Sequence, residues 1–275
     1  MVEKDWTIDK WYCPPNKLFD VKDKVTIVTG ASSGLGRAIA LAFDTLGAKV
    51  ILADIDVKGA KEVSAEMTGD RMVVECDVTS IESVQSMIKK AMDKYGRIDV
   101  AFNVPGINIR KEALDLTYEE WDKVLRINLY GMFYCCKEEG KVMLPIFKKE
   151  YPRRQGAIIN MASIFAELVM PRQVAYASSK GAIKQMTRVL AAEWAPYIRV
   201  NCIGPGYMET PLVKQVMADK EWYEAIRKQN VLRRFGKPEE VVGTAIFLAS
   251  DASSLYTGCM LTPDAGWHWF GGWLK

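Results

Sequence analysis

The chain has 275 residues, 49% hydrophobic and 26% charged, so it can bury a full core, and α/β domains of this length commonly stay undivided. Its 37 basic and 34 acidic residues leave a formal charge of +3 with no basic run, which argues against a nucleic-acid partner. The six cysteines are scattered without a CxxC pair, His268 is the single histidine, and no apolar run suits a signal peptide or a bilayer span. The expectation is a reduced, cytoplasmic protein with no metal site and no membrane partner.

Residues 1–17 are polar, contain Pro14 and Pro15, and read as an N-terminal extension, whereas residues 18–275 read as one domain. From there short apolar runs alternate with amphipathic segments, the pattern of a parallel sheet with helices on both faces. Val25–Thr29 is a β-branched, buried strand. Gly34–Leu46 carries Leu35, Ile39, Ala42, Phe43 and Leu46 at helical spacing and ends at Gly47. Lys49–Ala53 is a second strand, Val57–Met67 a helix and Met72–Cys76 a third strand. Thr79 and Glu82 are spaced as a capping box opening a helix towards Tyr95, and Ile98–Asn103 is a fourth strand. Thr117 and Glu120 have the same spacing and open a long helix through Trp121, Leu125, Leu129 and Phe133, which Pro145 bends or ends. Ala157–Met161 is a fifth strand, Val174–Ala195 a helix and Ile198–Ile203 a sixth strand. Pro205 and Gly206 break the chain before a polar helical excursion from Thr210 to about Asn230. A helix opened by Pro238 then runs to about Ser250, and Met260–Thr262 is the last strand. With no internal repeat, the fold class is α/β: a single doubly wound, Rossmann-like parallel sheet of about seven strands.

Gly30, Gly34 and Gly36 lie directly between the first strand and the first helix, where a dinucleotide turn needs them. Glycine lets the backbone approach a diphosphate closely, and the helix amino terminus offers unpaired N–H groups. A tight βα turn would explain the glycines alone, but Asp54 follows Gly36 by eighteen residues, at the end of the second strand, placed to accept both ribose hydroxyls. A carboxylate there repels a 2′-phosphate, so NAD is expected over NADP, with Arg37 as the one nearby counter-argument.

Tyr176 and Lys180, in YASSK, stand one helical turn apart, the spacing of a proton-transfer pair. An ordinary phenol titrates near pH 10 and is a poor base; an adjacent ammonium and a positive nicotinamide both favour its phenolate. Ser163 has a hydroxyl able to hold a substrate oxygen. A helix-face aromatic and a strand-end hydroxyl would be the bland explanations of Tyr176 and Ser163 taken singly.

With these residues the chain resembles the compact subgroup of short-chain dehydrogenases/reductases, from Leu18 to Trp267. TGASSGLG matches the family's TGxxxGxG, Asp77 in CDV its adenine-contacting Asp, and Asn128 in INLYG its helix Asn. Ser163 in INMAS and YASSK match its Ser and YxxxK, and Pro205, Gly206 and Thr210 its nicotinamide-side loop. The resemblance implies catalytic roles for Asn128, Ser163, Tyr176 and Lys180, with Asn128 holding a water that links Lys180 to solvent. It also implies cofactor contacts from Gly30, Ser32, Ser33, Gly34, Leu35, Gly36, Asp54, Asp77, Val78, Asn103, Gly106, Tyr176, Lys180, Pro205, Gly206 and Thr210. The chain departs from the family where Asn103-Val104-Pro105-Gly106 replaces NNAG and TPDAGW replaces DGG.

GINIRKEAL, SIFAEL and RFGKPEEVVGTAIFLASDAS resemble the gluconate 5-dehydrogenase and sugar or polyol dehydrogenase branch, which implies a polyhydroxylated substrate. Arg110 is then a candidate for a sugar-acid carboxylate and Glu167 for sugar hydroxyls, beside the alternatives of a solvated loop Arg and a surface Glu. Met208, Leu212, Trp222 and Tyr223 are candidates for a lid, which also fits a broad carbonyl reductase, including one acting on 3-oxoacyl chains. A non-catalytic NAD sensor is the alternative from another class, opposed by the intact proton relay; a Ser-His-Asp hydrolase is disfavoured because the only histidine, His268, lies in the aromatic tail. Trp267, Trp269, Phe270 and Trp273 are expected to meet another subunit or their own, and the resemblance implies a homotetramer.

Overall fold

The computed structural model describes residues 17–269. Residues 1–16, and with them nearly all of the expected extension, lie outside the described residues, as do Phe270 and Trp273. Seven strands form one sheet: β1 (Val25–Thr29), β2 (Lys49–Asp54), β3 (Arg71–Glu75), β4 (Val100–Asn103), β5 (Gly156–Met161), β6 (Ile198–Ile203) and β7 (Met260–Leu261). Their spatial order is β3-β2-β1-β4-β5-β6-β7 and every pairing is parallel. The order reverses between β1 and β4, so a crevice opens at the carboxyl ends of those two strands.

Alternate residues of each strand feed two cores. Val25, Ile27, Ile51, Ala53, Ala101, Ile158, Val200 and Cys202 face one, with α3 (Ile81–Tyr95), α5 (Gly131–Glu150) and α6 (Val174–Trp194). Val28, Val50, Leu52, Phe102, Ile159 and Ile203 face the other, with α1 (Gly34–Thr45), α2 (Val57–Ala65) and α9 (Val242–Ala249). Both faces are therefore dry, which explains strands written as continuous apolar runs. A third cluster of Ile164, Phe165, Tyr176, Tyr207, Val213, Val216, Ile226 and Phe235 lies under the excursion after β6, where α7 (Lys214–Ala218) and α8 (Lys220–Gln229) sit.

Two local expectations are corrected. The α3 cap is Ser80, whose Oγ accepts from Ser83 N at 3.1 Å, because Thr79 is drawn back by Asp77: its N and Oγ1 both donate to Asp77 Oδ1, at 2.9 and 2.8 Å. Pro145 does not end α5, which continues to Glu150; Pro145 is on the exposed face, where water can take the carbonyl its missing N–H leaves free. The Thr117–Glu120 capping box forms as expected at α4 (Tyr118–Leu125).

Glu139 of α5 is fully buried at the end of β4. Its Oε2 accepts from Asn103 Nδ2 at 3.0 Å, while its Oε1 and Asn103 Oδ1 have no partner among the described residues. Burial pushes the carboxyl up to about 7, and Asn103 opposes this. The titratable neighbours that its charge would disturb are Cys76, Cys135 and Cys136. Because the folded value exceeds the ordinary one, the stability it contributes is full below pH 4.5 and is lost as pH rises through about 7. Glu139→Gln mimics the protonated acid, so it should remove a decline on the order of 2–3 kcal/mol between pH 4.5 and 8. Urea unfolding across that range measures it, and parallel pH profiles for the two proteins would refute the assignment.

Candidate active site

A cleft of about 640 Å³ opens at the crevice between β1 and β4. One end is the glycine turn. Gly30 and Gly34 have φ of +69° and +53°, which side chains with a Cβ rarely adopt. Gly36 does not line the cleft. A Cβ there would lie 2.0 Å from the Gly30 carbonyl oxygen, so its role is to let α1 pack onto the turn. Ser33 makes no side-chain cap bond and the first turn of α1 has no acidic residue, leaving its N–H groups free for an anion. Ser32, Ser33 and Leu35 line the cleft beside them.

Asp54, at the tip of β2, also lines the cleft. Its Oδ2 accepts from Ser32 N and its Oδ1 from Asp56 N, each at 2.9 Å, so the carboxylate ties the glycine turn to its own strand. Each oxygen keeps a further lone pair for a hydroxyl. Arg37 is paired with Glu66 at 2.6 Å and does not line the cleft. Asp77 and Val78 line the next stretch of wall. Asn103 does not: its amide points into the sheet end, bonding Glu139 and Asn160. Pro105 rests on the glycine turn, with its N 3.2 Å and its Cγ 3.3 Å from where a Gly30 Cβ would be. Thr210 and Pro211 lie over Gly34 in the same way, so the chain after β6 reaches across to the diphosphate end. These features fit a dinucleotide: a Cβ-free cradle, a helix terminus without a side-chain cap and a carboxylate at the tip of the neighbouring strand.

At the other end the structure brings Asn128, Ser163, Tyr176 and Lys180 together. Asn128 is fully buried in a π-helical turn, Arg126–Tyr130, between α4 and α5. Its Oδ1 accepts from Ile107 N at 2.8 Å and its Nδ2 donates to Ile107 O and Ser179 Oγ, both at 3.0 Å. It therefore clamps the loop after β4 to α6, and a Cβ on Gly106 would lie 3.5 Å from its Oδ1 and 3.3 Å from Lys180 Nζ. Lys180 Nζ donates to Met161 O at 2.7 Å and lies 5.5 Å from the centre of the Tyr176 ring.

Burial lowers the Lys180 ammonium to about 7 and raises the Tyr176 phenol; a hydrogen bond to Ser163 and the charge of Arg110 partly offset the latter. Burial is thus the larger influence of the chain itself on the Tyr176 phenol and favours its protonated form; the expected pull towards the phenolate comes from Lys180 together with the positive nicotinamide. The phenol can thus give a proton to a carbonyl oxygen directly. To take one from an alcohol it needs raised pH or a neighbouring positive charge.

Arg110 lines the cleft beyond them, with Nη1 3.5 Å from Leu212 O and its guanidinium 5.7 Å from the centre of the Trp222 ring. Glu167 does not line the cleft; its carboxylate is held by Lys184 and by His268 Nε2. Met208 and Leu212 line the wall, whereas Tyr223 packs on Phe235. Trp267 stacks on Tyr207 of its own chain, 5.6 Å between ring centres, and Asp264 of the departing TPDAGW segment holds that turn by accepting from Gly266 N and His268 N. Trp269 is exposed. Sequence reasoning passed over Asn108, Phe165, Gln173 and Tyr207, all in the wall. Gln173 stands one helical turn before Tyr176 and Tyr207 directly follows Pro205-Gly206, adjacencies that could have flagged both. Among the described residues no group of three or more His, Cys, Asp or Glu side chains could hold a metal, and no helix is long and apolar enough to cross a membrane.

Two substitutions test this geometry. Gly36→Ala should weaken NADH binding more than tenfold, because its methyl meets the Gly30 carbonyl; near-native titration would exclude that close packing. Asn128→Leu removes three buried hydrogen bonds and should cost about 3 kcal/mol in urea unfolding; a change below about 0.5 kcal/mol would refute the clamp.

A family model described as enoyl-(acyl carrier protein) reductase matches residues 30–268. The NAD-dependent glycerol dehydrogenase of Listeria innocua is 39% identical over 254 residues, covering 92% of this chain and 96% of that protein. The D-threitol dehydrogenase of Mycolicibacterium smegmatis is 38% identical over 253 residues, covering 90% and 94%. A solved structure from Agrobacterium tumefaciens, provisionally assigned as a gluconate dehydrogenase, superposes with a TM-score of 0.86 at 32% identity, covering 92% and 99%. The matched span, the sheet order and the clustered Asn128, Ser163, Tyr176 and Lys180 agree: this chain belongs to the short-chain dehydrogenase/reductase family and is a nicotinamide-dependent oxidoreductase acting on secondary alcohols and ketones.

Proposed function

We propose that the protein is an NAD-linked dehydrogenase of polyols or related sugar-type alcohols. The observation that carries this reading is one cleft with Asp54 at its nucleotide end and Tyr176, Ser163 and Lys180 at the other. The names of the glycerol and threitol dehydrogenases support the substrate class. The nicotinamide, when bound, accepts or supplies the hydride; the chain's own residues handle the proton and the orientation. Ser163 and Tyr176 hold the substrate oxygen. The proton passes between that oxygen and Tyr176, with Lys180 the next group inward and Asn128 fixing the loop beside it. Cofactor contacts are assigned to Ser32, Ser33, Gly34, Leu35, Asp54, Asp77, Val78, Gly106, Pro205, Gly206 and Thr210, all in the wall.

NAD is preferred over NADP because Asp54 stands where a 2′-phosphate would come and Arg37 is already paired with Glu66. Half-exposed Tyr130 and Phe133 near the start of α5, and Val174 and Val189 on α6, suit burial between subunits, so the working unit is taken as a homotetramer. The described cysteines are free thiols, which suits a cytoplasmic setting.

Asp54→Ser should narrow the preference for NAD over NADP in kcat/KM by at least about tenfold, since one unit charge is removed near the phosphate position. Unchanged selectivity would sink the assignment. With Tyr176 protonated at neutral pH, alcohol oxidation should accelerate as pH rises and ketone reduction should slow. Rate profiles that move together in the two directions would contradict the proton role.

A further inference from the structure

Two hydrogen-bond donors in the wall of the cleft are spent on a poor acceptor. Gln173, 2% exposed, immediately precedes α6 and stands one turn before Tyr176. Its Oε1 accepts from Asn108 Nδ2 at 2.9 Å, which fixes the amide, while its Nε2 faces Met170 Sδ at 3.2 Å and Tyr207 Oη at 3.5 Å. Tyr207, 5% exposed, also donates to Met170 Sδ, at 3.5 Å. A thioether is a weak acceptor, so an amide N–H and a phenol O–H held on one sulfur are both available to a better oxygen.

Their position relates them to the chemistry. The Phe165 ring meets the edge or face of both phenols, Tyr176 at 6.5 Å and Tyr207 at 6.1 Å between ring centres, so the two flank one aromatic spacer. The Tyr207 ring is fixed in turn by Trp267 and Phe235. Burial raises the Tyr207 phenol, which keeps it a neutral donor. Asn108, which also lines the cleft, has a buried Oδ1 without a partner among the described residues and so has room for a donor, which a hydroxyl supplies and a carboxylate does not.

We propose that Gln173 and Tyr207 are specificity residues that take a second hydroxyl, on the carbon next to the reacting carbinol, so that the cleft selects neutral vicinal diols. This rests on the polyol dehydrogenase reading above and sharpens it. The diol oxygen replaces Met170 Sδ as the acceptor for Gln173 Nε2 and Tyr207 Oη, and Asn108 holds the Gln173 amide in register. No bond beyond those of ordinary alcohol oxidation is made or broken. Arg110, with its guanidinium on Trp222 and Leu212 O, borders this subsite without being its reader.

The test compares glycerol, isopropanol and lactate, which share a three-carbon secondary carbinol and differ in the group beside it: hydroxymethyl, methyl or carboxylate. Wild-type protein, Gln173→Leu and Tyr207→Phe are assayed by NADH formation, with NADH binding followed by fluorescence to confirm an intact cleft. The wild type should favour glycerol over isopropanol at least tenfold in kcat/KM, and each variant should cut that ratio by about tenfold, one hydrogen bond's worth. Tyr207→Phe keeps the ring on Trp267 and so guards against a folding artefact. An unchanged ratio in Tyr207→Phe with NADH binding retained overturns the proposal. So does a wild type that prefers lactate, which would transfer the reading to Arg110 and a carboxylate. Turnover of none of the three despite NADH binding would overturn the polyol dehydrogenase reading together with this one.

Discussion

Lys180 is buried to 2% exposure with its ammonium on a single carbonyl, Met161 O, directly behind the Tyr176 ring, and the rest of the site is arranged around that fact. A lysine taken out of water loses its preference for the charged form, and a phenol in the same place loses its preference for ionising. Burial thus moves both groups towards neutrality and apart in proton affinity, Lys180 down to about 7 and the Tyr176 phenol up. The phenol therefore keeps its proton, available to a substrate oxygen, while the amine behind it is poised near neutrality. This requires a rigid wall. Asn128 supplies it by pinning Ile107 and Ser179 from a π-helical turn that would otherwise be a fault in the α4–α5 helix.

The sheet makes the other half of the site possible. Because β1 sits where the strand order reverses, the turn after β1 and the loop after β4 diverge and leave room between them. Gly36 brings α1 down on Gly30, and Asp54 stitches that turn to β2, so the acidic side chain is architectural before it meets any ribose. The departures from the family pattern have physical sense here. Pro105 gives up a donor and packs its ring on Gly30, while Asp264 turns the tail so that Trp267 backs Tyr207.

The strand and helix order was legible because two dry sheet faces demand apolar runs at fixed intervals, a rule that the central strands β1, β2 and β4 follow most closely and the half-buried edge strands β3 and β7 least. Boundaries failed where side chains compete for the same N–H. Asp77 captures Thr79 and so hands the α3 cap to Ser80. At the site, motif residues with fixed spacing, such as Gly30, Tyr176 and Lys180, were readable because the chemistry dictates the residue type. Glu167 was not: its sequence neighbourhood looked substrate-facing, whereas Lys184 and His268, distant in sequence, claim its carboxylate. Asn103 likewise turns towards Glu139, a partner that no local pattern reveals. The Gln173–Tyr207–Met170 contact joins a helix start to the loop after β6 and exists only once the sheet has folded.

The most direct measurement is single-turnover hydride transfer by stopped-flow fluorescence, comparing wild type with Tyr176→Phe at saturating NADH and ketone. The substitution removes one oxygen and leaves the ring against Phe165. The account predicts NADH binding within about threefold of wild type and a transfer rate at least about a thousandfold lower, the upper part of the range for losing a positioned acid. A transfer rate close to wild type with NADH bound would contradict it.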